Sequence, residues 1–329
     1  MRARVFGVVV LSLAGLVAGC GNGGDTEGDV PKDGGSAPAA KVIGYSKMNS
    51  NNPFFEVIAE NIQSEAAKHG YEVRVVSAEA DVAKQMDQIR DFVVSKVDAI
   101  VLNPADSEAI GAAISEANDA GIPVFTCDLE CTASGVKIAG HIATDNYQGG
   151  RLAGEAMIEA LGSQGGEIAI LTHDPAASCL HRVAGFDDVI NAYNEGLGSG
   201  KITVVKRLPC EGQRDPGFKA TQDILTAHPN LSGIFAINDP GALGALAALE
   251  KADKSEQVTL IGFDGQPDGK QAIKDGKIYA DPIQFPDKMG QEMVTMISEY
   301  FSGVLMEPER LIPAELYRQE DGQNDPTLK

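Results

Sequence analysis

The chain has 329 residues and a formal net charge of −20, with 47 acidic against 27 basic residues. An acidic excess of this size argues against binding to nucleic acid and against electrostatic binding to an anionic membrane. It leaves a neutral or cationic small molecule as the more compatible ligand. Residues 41–329 are too many for one small core and enough for two domains of ordinary size.

The N-terminus has the pattern of a lipoprotein export signal. Arg2 and Arg4 precede an apolar run, residues 5–17, that is too short to span a bilayer comfortably. The run leads into the sequence Val-Ala-Gly-Cys, which ends at Cys20 and resembles the lipobox of bacterial lipoproteins. We therefore predict a signal peptide over residues 1–19, absent from the mature protein, and a lipid on Cys20.

Residues 20–40 predict a flexible tether. The stretch consists mainly of Gly, Asp, Ser, Pro and Ala and has almost no large apolar side chain, so it cannot bury a core. A coil of about twenty residues would hold a folded body a few tens of ångströms from a lipid surface. Signal and tether together predict an extracytoplasmic protein attached to the membrane through the lipid alone.

Four cysteines follow the tether: Cys127, Cys131, Cys179 and Cys210. Outside the cytosol, Cys127 with Cys131 or Cys179 with Cys210 are conceivable disulfides, and the sequence leaves the pairing open. The Cys127-x3-Cys131 spacing lacks the usual zinc pattern, and the five histidines show no paired ligand spacing. We predict no metal site and no cofactor.

The body alternates short β-branched runs with stretches whose apolar residues recur every three or four positions, which is typical of parallel sheets covered by helices. Strands are predicted over residues 42–45, 71–76, 99–102, 123–126, 166–171, 201–208, 233–237 and 258–263. Helices are predicted over residues 146–161, 180–194, 215–228 and 240–252. Three helix faces are predicted in the first half: Phe54, Ile58, Ile62 and Ala66; Val82, Met86, Ile89 and Val93; and Ile110, Ala113, Ile114 and Ala117.

Two segments repeat one arrangement. Residues 98–104 and 233–240 each form a predicted strand ending in Asn, followed by Pro and an Ala-rich helix. This similarity predicts an α/β fold of two related lobes, each a parallel sheet flanked by helices.

Polar and aromatic side chains follow the predicted strands at the carboxyl ends, where ligands of open parallel sheets bind. They are Asn52, Phe54, Phe55, Asp128, Arg182, Asn238, Asp239, Asp264 and Gln284, with Arg182 expected in the first turn of its helix. Carboxylates, amides and a guanidinium can bind the hydroxyls of a sugar-like ring, and a phenyl face can pack on its apolar side. Taken singly, each Asn is more often a helix cap and each Phe more often core.

The body closely resembles the ribose-binding-protein family of periplasmic binding proteins over residues 41–318. The resemblance rests on Asn51-Asn52-Pro53-Phe54-Phe55, Leu102-Asn103-Pro104-Ala105-Asp106-Ser107, Ile122-Pro123-Val124, Thr144-Asp145-Asn146, Arg182 before Gly185-Phe186, Leu225-Thr226-Ala227-His228-Pro229, Asn238-Asp239, Gly262-Phe263-Asp264-Gly265 and Gln284.

This resemblance implies two Rossmann-like lobes joined by a three-strand hinge, the type I periplasmic binding protein fold. The first lobe would comprise residues 41–143 and 285–313, and the second residues 144–284 and 314–329. Sugar contacts are implied for the strand-end residues identified above: Asn52, Phe54, Phe55 and Asp128 in the first lobe, and Arg182, Asn238, Asp264 and Gln284 in the second.

The implied function is binding of a monosaccharide or small polyol and its delivery to the permease subunits of an ABC transporter, by a protein that we expect to be a monomer. Two positions depart from the family's pattern. Leu129 stands where ribose binders have an arginine, and a stacking aromatic is replaced near Gly212. The identity of the sugar or polyol therefore stays open.

The sequence opposes two other classes of protein, an enzyme and a transcription repressor, and leaves a third open. The nucleophile, zinc and nucleotide motifs G-x-S-x-G, H-E-x-x-H and G-x-x-x-x-G-K are absent from the sequence, so we do not expect an enzyme. The export signal and the acidic charge oppose a sugar-responsive repressor of the same fold. A sensory protein that presents its sugar to a chemoreceptor or sensor kinase remains an alternative to transport.

Overall fold

The computed structural model describes residues 40–329, so the predicted signal peptide, Cys20 and nearly all of the tether lie outside the described residues. The described part contains strands β1 (Val42–Lys47), β2 (Glu72–Ser77), β3 (Ala99–Leu102), β4 (Val124–Cys127), β5 (Gly140–Thr144), β6 (Gly166–Thr172), β7 (Ile202–Pro209), β8 (Gly233–Ala236), β9 (Thr259–Ile261), β10 (Ala280–Ile283), β11 (Glu309–Ile312) and β12 (Glu315–Arg318).

Helices connect most of these strands. They are α1 (Pro53–Lys68), α2 (Val82–Val94), α3 (Gly111–Asp119), α4 (Asn146–Leu161), α5 (Ala177–Asn194), α6 (Arg214–Ala227), α7 (Asp239–Lys251), α8 (Pro267–Lys274), α9 (Pro286–Phe301) and α10 (Gln319–Asn324). Within residues 40–329, none of the helices combines the length and the apolar character needed to cross a bilayer.

The strands form two six-stranded sheets of the same topology. Their orders are β11-β5-β4-β3-β1-β2 and β12-β10-β9-β8-β6-β7, and every neighbouring pair is parallel except β10 with β12. We call the first sheet with α1, α2, α3 and α9 the first lobe, and the second sheet with the remaining helices the second lobe. The predicted fold of two α/β lobes with parallel sheets is confirmed.

The chain passes between the sheets three times. It leaves the first sheet after Thr144, returns after Ile283, and crosses again between Ile312 and Glu315. Because β5, β10 and β11 end at these crossings and β12 begins at the third, the hinge lies at the sheet edges where the two lobes meet. The exact lobe boundaries given above stay a prediction.

Most predicted elements are present, with ends shifted by a few residues. The fully apolar run Ala99–Leu102 is a buried strand, and the predicted apolar faces of α1 and α3 are buried. The predicted face of α2 is only partly correct, because Ile89 is buried whereas Val82, Met86 and Val93 are half-buried.

A polar side chain, Gln85, occupies the centre of the buried α2 face. Its Nε2 donates to the backbone oxygen of Asn103 at 2.9 Å, and its Oε1 accepts from the backbone nitrogen of Ala105 at 2.7 Å. These bonds satisfy the buried amide and hold the loop that follows β3. A sequence pattern based on apolar residues alone could not identify this contact.

The contact between α4 and α5 sets the position of Arg182. A methyl group at Gly150 would lie 2.0 Å from the backbone oxygen of Arg182, and one at Gly185 would lie 2.1 Å from the backbone oxygen of Tyr147. The two helices therefore approach at backbone distance, which only glycine at these positions permits. Backbone packing therefore fixes the position of Arg182 independently of the hydrogen bonds that its side chain makes.

We expect Gly150→Ala to lower the free energy of unfolding by about 1–3 kcal/mol, because the added methyl group overpacks the α4–α5 contact. The sign of the change separates overpacking from helix propensity, since replacing glycine by alanine inside a helix would otherwise raise the stability by about 1 kcal/mol. Urea unfolding followed by circular dichroism measures the change. Gly198→Ala is the control, because no atom lies within 4 Å of its added methyl group. Equal or higher stability of Gly150→Ala would contradict this packing argument.

Candidate functional site

All eight residues predicted to bind a ligand line one cavity of about 380 Å³ in the cleft between the lobes. The cavity lies at the carboxyl ends of both sheets, as expected for open parallel sheets. The first lobe contributes Asn52, Phe54, Phe55 and Asp128, and the second lobe contributes Arg182, Asn238, Asp264 and Gln284. The structure thus brings the predicted set together, while their contact with a ligand stays a prediction.

Two asparagines in the cavity wall also cap helices. The Asn52 Oδ1 accepts from the backbone nitrogen of Phe54 at 3.0 Å, and the Asn238 Oδ1 accepts from that of Gly241 at 2.9 Å. Both asparagines therefore cap a helix, as is usual for an Asn at a strand end, and both also line the cavity. Since capping uses only the oxygen, the amide nitrogen of each side chain remains a donor.

Arg182 and Asp264 form the centre of the site. The Arg182 Nη1 donates to the Asp264 Oδ1 at 2.9 Å and to the backbone oxygen of Ile237 at 2.7 Å, and its Nε donates to the Asn146 Oδ1 at 2.8 Å. The guanidinium also lies 3.9 Å from the centre of the Phe263 ring. Both charged side chains are about 95% buried, so each ion depends on the other for compensation.

Two glutamines extend this centre to the hinge. The Gln284 Nε2 donates to the Asp264 Oδ1 at 2.6 Å, and the Thr144 hydroxyl donates to the Gln284 Oε1 at 2.7 Å. The Gln266 Nε2 donates to the Asp264 Oδ2 at 3.1 Å. Thr144 and Gln284 lie at two of the three crossings, so the binding site and the hinge share one hydrogen-bond network.

Asp128 is the buried carboxyl that faces the cavity without a bond from the described residues to its Oδ1. Burial raises its pKa to about 7, and the charge of Arg182 opposes this rise. Its φ is 63°, and that of Asp264 is 111°, conformations that L residues rarely adopt. Such strain is typical of positions where function determines the side chain's direction.

The apolar wall comes from Phe54, Phe55 and Leu129. The two rings meet edge to face with centroids 5.5 Å apart, and all three side chains are buried. Leu129, at one of the two departures from the ribose-binder pattern, therefore contributes apolar surface and no hydrogen bond from its side chain. Gly212, the other departure, lines the cavity without any side chain.

Sequence reasoning missed several cavity-lining residues, among them Asn49, His173, Ser178, Cys179, Glu211 and Gln213. Most follow strands in the loops at the cleft, and their type alone carried no signal. His173 is informative because its Nε2 is buried without a partner among the described residues, and burial lowers its pKa. A neutral imidazole at this position can bond a ligand.

Two sequence expectations need correction, and the cysteine pairing that the sequence left open can now be described. The helix α5 begins at Ala177, so Arg182 lies in its second turn rather than its first. Asp239 lies behind the cavity, where its Oδ2 accepts from the backbone nitrogen of Gln266 at 2.6 Å. Neither conceivable disulfide is formed, because Cys127, Cys131, Cys179 and Cys210 are all free thiols.

The lobes touch at the edge of the cleft. The backbone nitrogen of Ser107 donates to the backbone oxygen of Pro175 at 3.3 Å, and the Ser107 hydroxyl accepts from the backbone nitrogen of Ala177 at 3.4 Å. Ser107 follows β3 of the first lobe, and Pro175 and Ala177 follow β6 of the second. These two hydrogen bonds join the lobes at this edge of the cleft.

The electrostatics of the cavity favour an uncharged or cationic guest. Its lining includes Asp106, Asp128, Glu211 and Asp264 but a single arginine, Arg182. Because Asp264 already pairs with that guanidinium, little positive charge remains for an anionic ligand. No group of three or more residues able to hold a metal occurs among residues 40–329.

Behind the cavity, Asp239 and Asp281 form a second buried carboxyl pair. Their Oδ1 atoms have no other partner in the described chain, and their Oδ2 atoms accept from the backbone nitrogens of Gln266 and Gly265. Burial, then the charge of Asp281, raises the pKa of Asp239 well above its ordinary value. Burial, then the charge of Asp264, raises the pKa of Asp281 to about 8. A proton on one of the two carboxyls would let that group donate to the other and would leave a single negative charge on the pair.

We expect the ligand-free body to become less stable as the pH rises from 5 to 8. Carboxyls whose folded pKa is raised stabilise the fold below the unfolded value near 4, and this contribution is lost as the pH passes the folded values, about 7 for Asp128 and about 8 for Asp281. The free energy of unfolding, measured in urea, should fall by at least about 1 kcal/mol across this range.

Asp281→Asn should weaken this pH dependence, because an amide can keep the contact with Asp239 but does not ionise between pH 5 and 8. Asp119→Asn, at an exposed position at the end of α3, is the control and should leave the slope unchanged. A wild-type stability that is flat or rises with pH would contradict the shared proton.

The comparisons with known proteins agree with this geometry. Residues 43–304 match the family model described as a periplasmic binding protein domain. The ribose import binding protein of Salmonella typhimurium is 36% identical over 268 residues, which are 82% of this chain and 87% of that protein.

Solved structures are similar over most of the body. A periplasmic solute-binding protein of an ABC transporter from Actinobacillus succinogenes, with bound D-allose, has a TM-score of 0.79 and 26% identity, covering 87% of this chain and all of the other. A transporter solute-binding protein from Bacillus halodurans, with bound myo-inositol, has a TM-score of 0.79 and 27% identity, covering 88% of this chain and 98% of the other.

A two-lobed binding protein with its site in the cleft is the class that the fold and these relatives define. The chain belongs to the periplasmic binding protein family, and within it to the relatives of ribose-binding proteins. It is a solute-binding protein and not an enzyme, and its family is extracytoplasmic.

Proposed function

We propose that the protein binds one monosaccharide or small polyol between its lobes and delivers it to the permease of an ABC importer. The observation that carries this proposal is a cavity to which both lobes contribute polar side chains and the first lobe contributes two phenyl rings. The relatives support the ligand class, since their names or bound molecules are ribose, D-allose and myo-inositol.

Closure provides the mechanism. Asp128 and Asn52 belong to one lobe and Arg182 and Asn238 to the other, so only the closed cleft offers a ligand all of their hydrogen bonds. Binding therefore shifts the equilibrium from open to closed forms, because the ligand has higher affinity for the closed one. The closed pair of lobe surfaces would be what the permease recognises, and no bond of the ligand is broken.

The specific sugar is constrained by two positions. Leu129 gives an apolar contact instead of a guanidinium, and Gly212 leaves the second lobe without a ring on that side. A ligand with an apolar edge near Leu129 satisfies this wall better than one with hydroxyls there, since a hydroxyl buried against leucine loses its hydrogen bond.

We expect Asp128→Asn and Asp264→Asn each to weaken sugar binding by about ten- to one hundredfold, because hydrogen bonds to charged groups are worth about 1.5–3 kcal/mol. Calorimetry with D-ribose, D-allose, D-apiose, L-arabinose and myo-inositol, after a thermal-shift screen of the same panel, measures the change. At pH 5, where the Asp128 carboxyl is mainly protonated, Asp128→Asn should leave stability nearly unchanged, since its Oδ1 accepts no bond from the described residues.

Asp187→Asn is the matched control. Asp187 pairs with Arg207 at 2.9 Å in an ion pair on the outer surface of the second lobe, and Asp187 does not line the cavity. Full affinity in both cavity variants would remove Asp128 and Asp264 from the binding site. Failure of every sugar and polyol to raise the melting temperature would contradict the proposed ligand class.

We also propose that the mature chain is a lipoprotein anchored through Cys20, on the sequence argument alone. Cys20→Ser should move the protein from the membrane fraction to the soluble fraction and remove the mass of the attached acyl groups, because one or more acyl chains supply the membrane affinity. Fractionation and intact mass spectrometry measure both. Cys131→Ser, a change at a half-buried thiol of the body, should alter neither; a soluble wild-type protein would rule out the anchor.

A further inference from the structure

A second cavity, which we call the outer chamber, lies at the mouth of the cleft and has a volume of about 650 Å³. Five residues line both it and the inner cavity: Asn49, Asn52, Ala80, Gly212 and Gln213. The two spaces are therefore neighbours that share part of their wall. Each volume is within the range of small-molecule sites, which is about 300–1,000 Å³.

Gly212 belongs to the wall that the two spaces share, and it places no side chain there. Its backbone oxygen accepts from the Asn238 Nδ2 at 3.0 Å, and its φ of 64° favours glycine. A methyl group built on Gly212 would meet only the Asn238 Nδ2, at 3.2 Å. The space beside this residue is thus free, and neither a side chain nor the backbone of the second lobe closes it.

The chemistry of the outer chamber suits a hydroxylated ring. Asn51 and Glu79 of the first lobe face Asp215 and Gln266 of the second, and together they offer amide donors and oxygen acceptors. Pro53, Pro240, Leu243 and Pro267 add apolar surface. The chamber's cation, Arg214, is paired with Asp268 at 3.2 Å, so the lining does not favour an anion.

The outer chamber is present although the lobes already touch through Ser107 and Pro175. A molecule that extends from the inner cavity into this space therefore does not prevent the lobes from touching at Ser107 and Pro175. A monosaccharide held in the inner cavity leaves the outer chamber to solvent.

We propose that the outer chamber is a second subsite, which binds the second ring of a disaccharide whose first ring occupies the inner cavity. The proposal rests on the function proposed above, because it needs a sugar in the inner cavity. It extends that function from single rings to two-ring ligands.

The test is calorimetry on the body, residues 41–329, with six disaccharides and their component rings. The disaccharides are maltose, cellobiose, lactose, melibiose, xylobiose and the galactosyl-inositol galactinol, and the rings are D-glucose, D-galactose, D-xylose and myo-inositol, together with D-ribose and D-allose. We expect at least one disaccharide to bind as tightly as its tightest component or more tightly, and to compete with it.

Two variants place bulk in the outer chamber from opposite lobes. Asn51→Trp and Asp215→Trp change exposed residues that line the outer chamber but not the inner cavity. Each should weaken the disaccharide at least tenfold and change the component ring by less than twofold. Ala227→Trp, at an exposed position at the far end of α6, is the matched control and should change neither.

The outcomes separate the two proposals. If no sugar of either size binds, the proposed function fails. If single rings bind and no disaccharide does, or if both tryptophan variants weaken single rings and disaccharides equally, the outer subsite is overturned while the inner site stands.

Discussion

The buried ion pair between Arg182 and Asp264 is the constraint on which the site depends. Two charges that are about 95% buried need each other, and the remaining donors and acceptors around them must also be satisfied. Here Asn146, the backbone of Ile237 and the side chain of Gln284 complete the set. Removing any of these partners would leave a buried charge undercompensated, so the geometry of the second lobe's half of the site has little freedom.

This network explains why the site and the hinge form one unit. Gln284 bonds Asp264 and accepts from Thr144, and both Gln284 and Thr144 lie where the chain crosses between lobes. The first lobe's half is different, because Asp128 presents an unbonded carboxylate oxygen to the cavity. The second lobe's half of the site is fixed by internal hydrogen bonds, whereas the Asp128 Oδ1 of the first lobe has no hydrogen-bond partner among the described residues.

Much of the fold and the site could be predicted from sequence. Buried parallel strands such as Ala99–Leu102 are continuous apolar runs, and helices such as α1 show one apolar face, so these elements have clear patterns. The carboxyl ends of parallel strands share one edge, and this rule alone collected the strand-end side chains that line the cavity.

The rest depended on contacts that a sequence pattern does not contain. Gln85 is buried in α2 because backbone groups of a distant loop bond its amide, which no periodicity reveals. The strands β11 and β12 have four residues each and lie at sheet edges, where half-exposed positions give weak alternation. Asp239 follows β8 as Asn238 does, yet only Asn238 reaches the cavity, because successive residues at a helix start point in different directions.

The two residues that depart from the ribose-binder pattern contribute no side chain to the hydrogen bonds around Arg182. The Leu129 side chain is purely apolar, and Gly212 has no side chain, so neither takes part in the charge compensation around Arg182. Under the proposed function, the positions that would select the ligand are thus separate from those that hold the site together. Substitutions at these two loop residues could therefore change the ligand during evolution, or in a biosensor built from this protein. The two lobes and the hinge between them would stay the same.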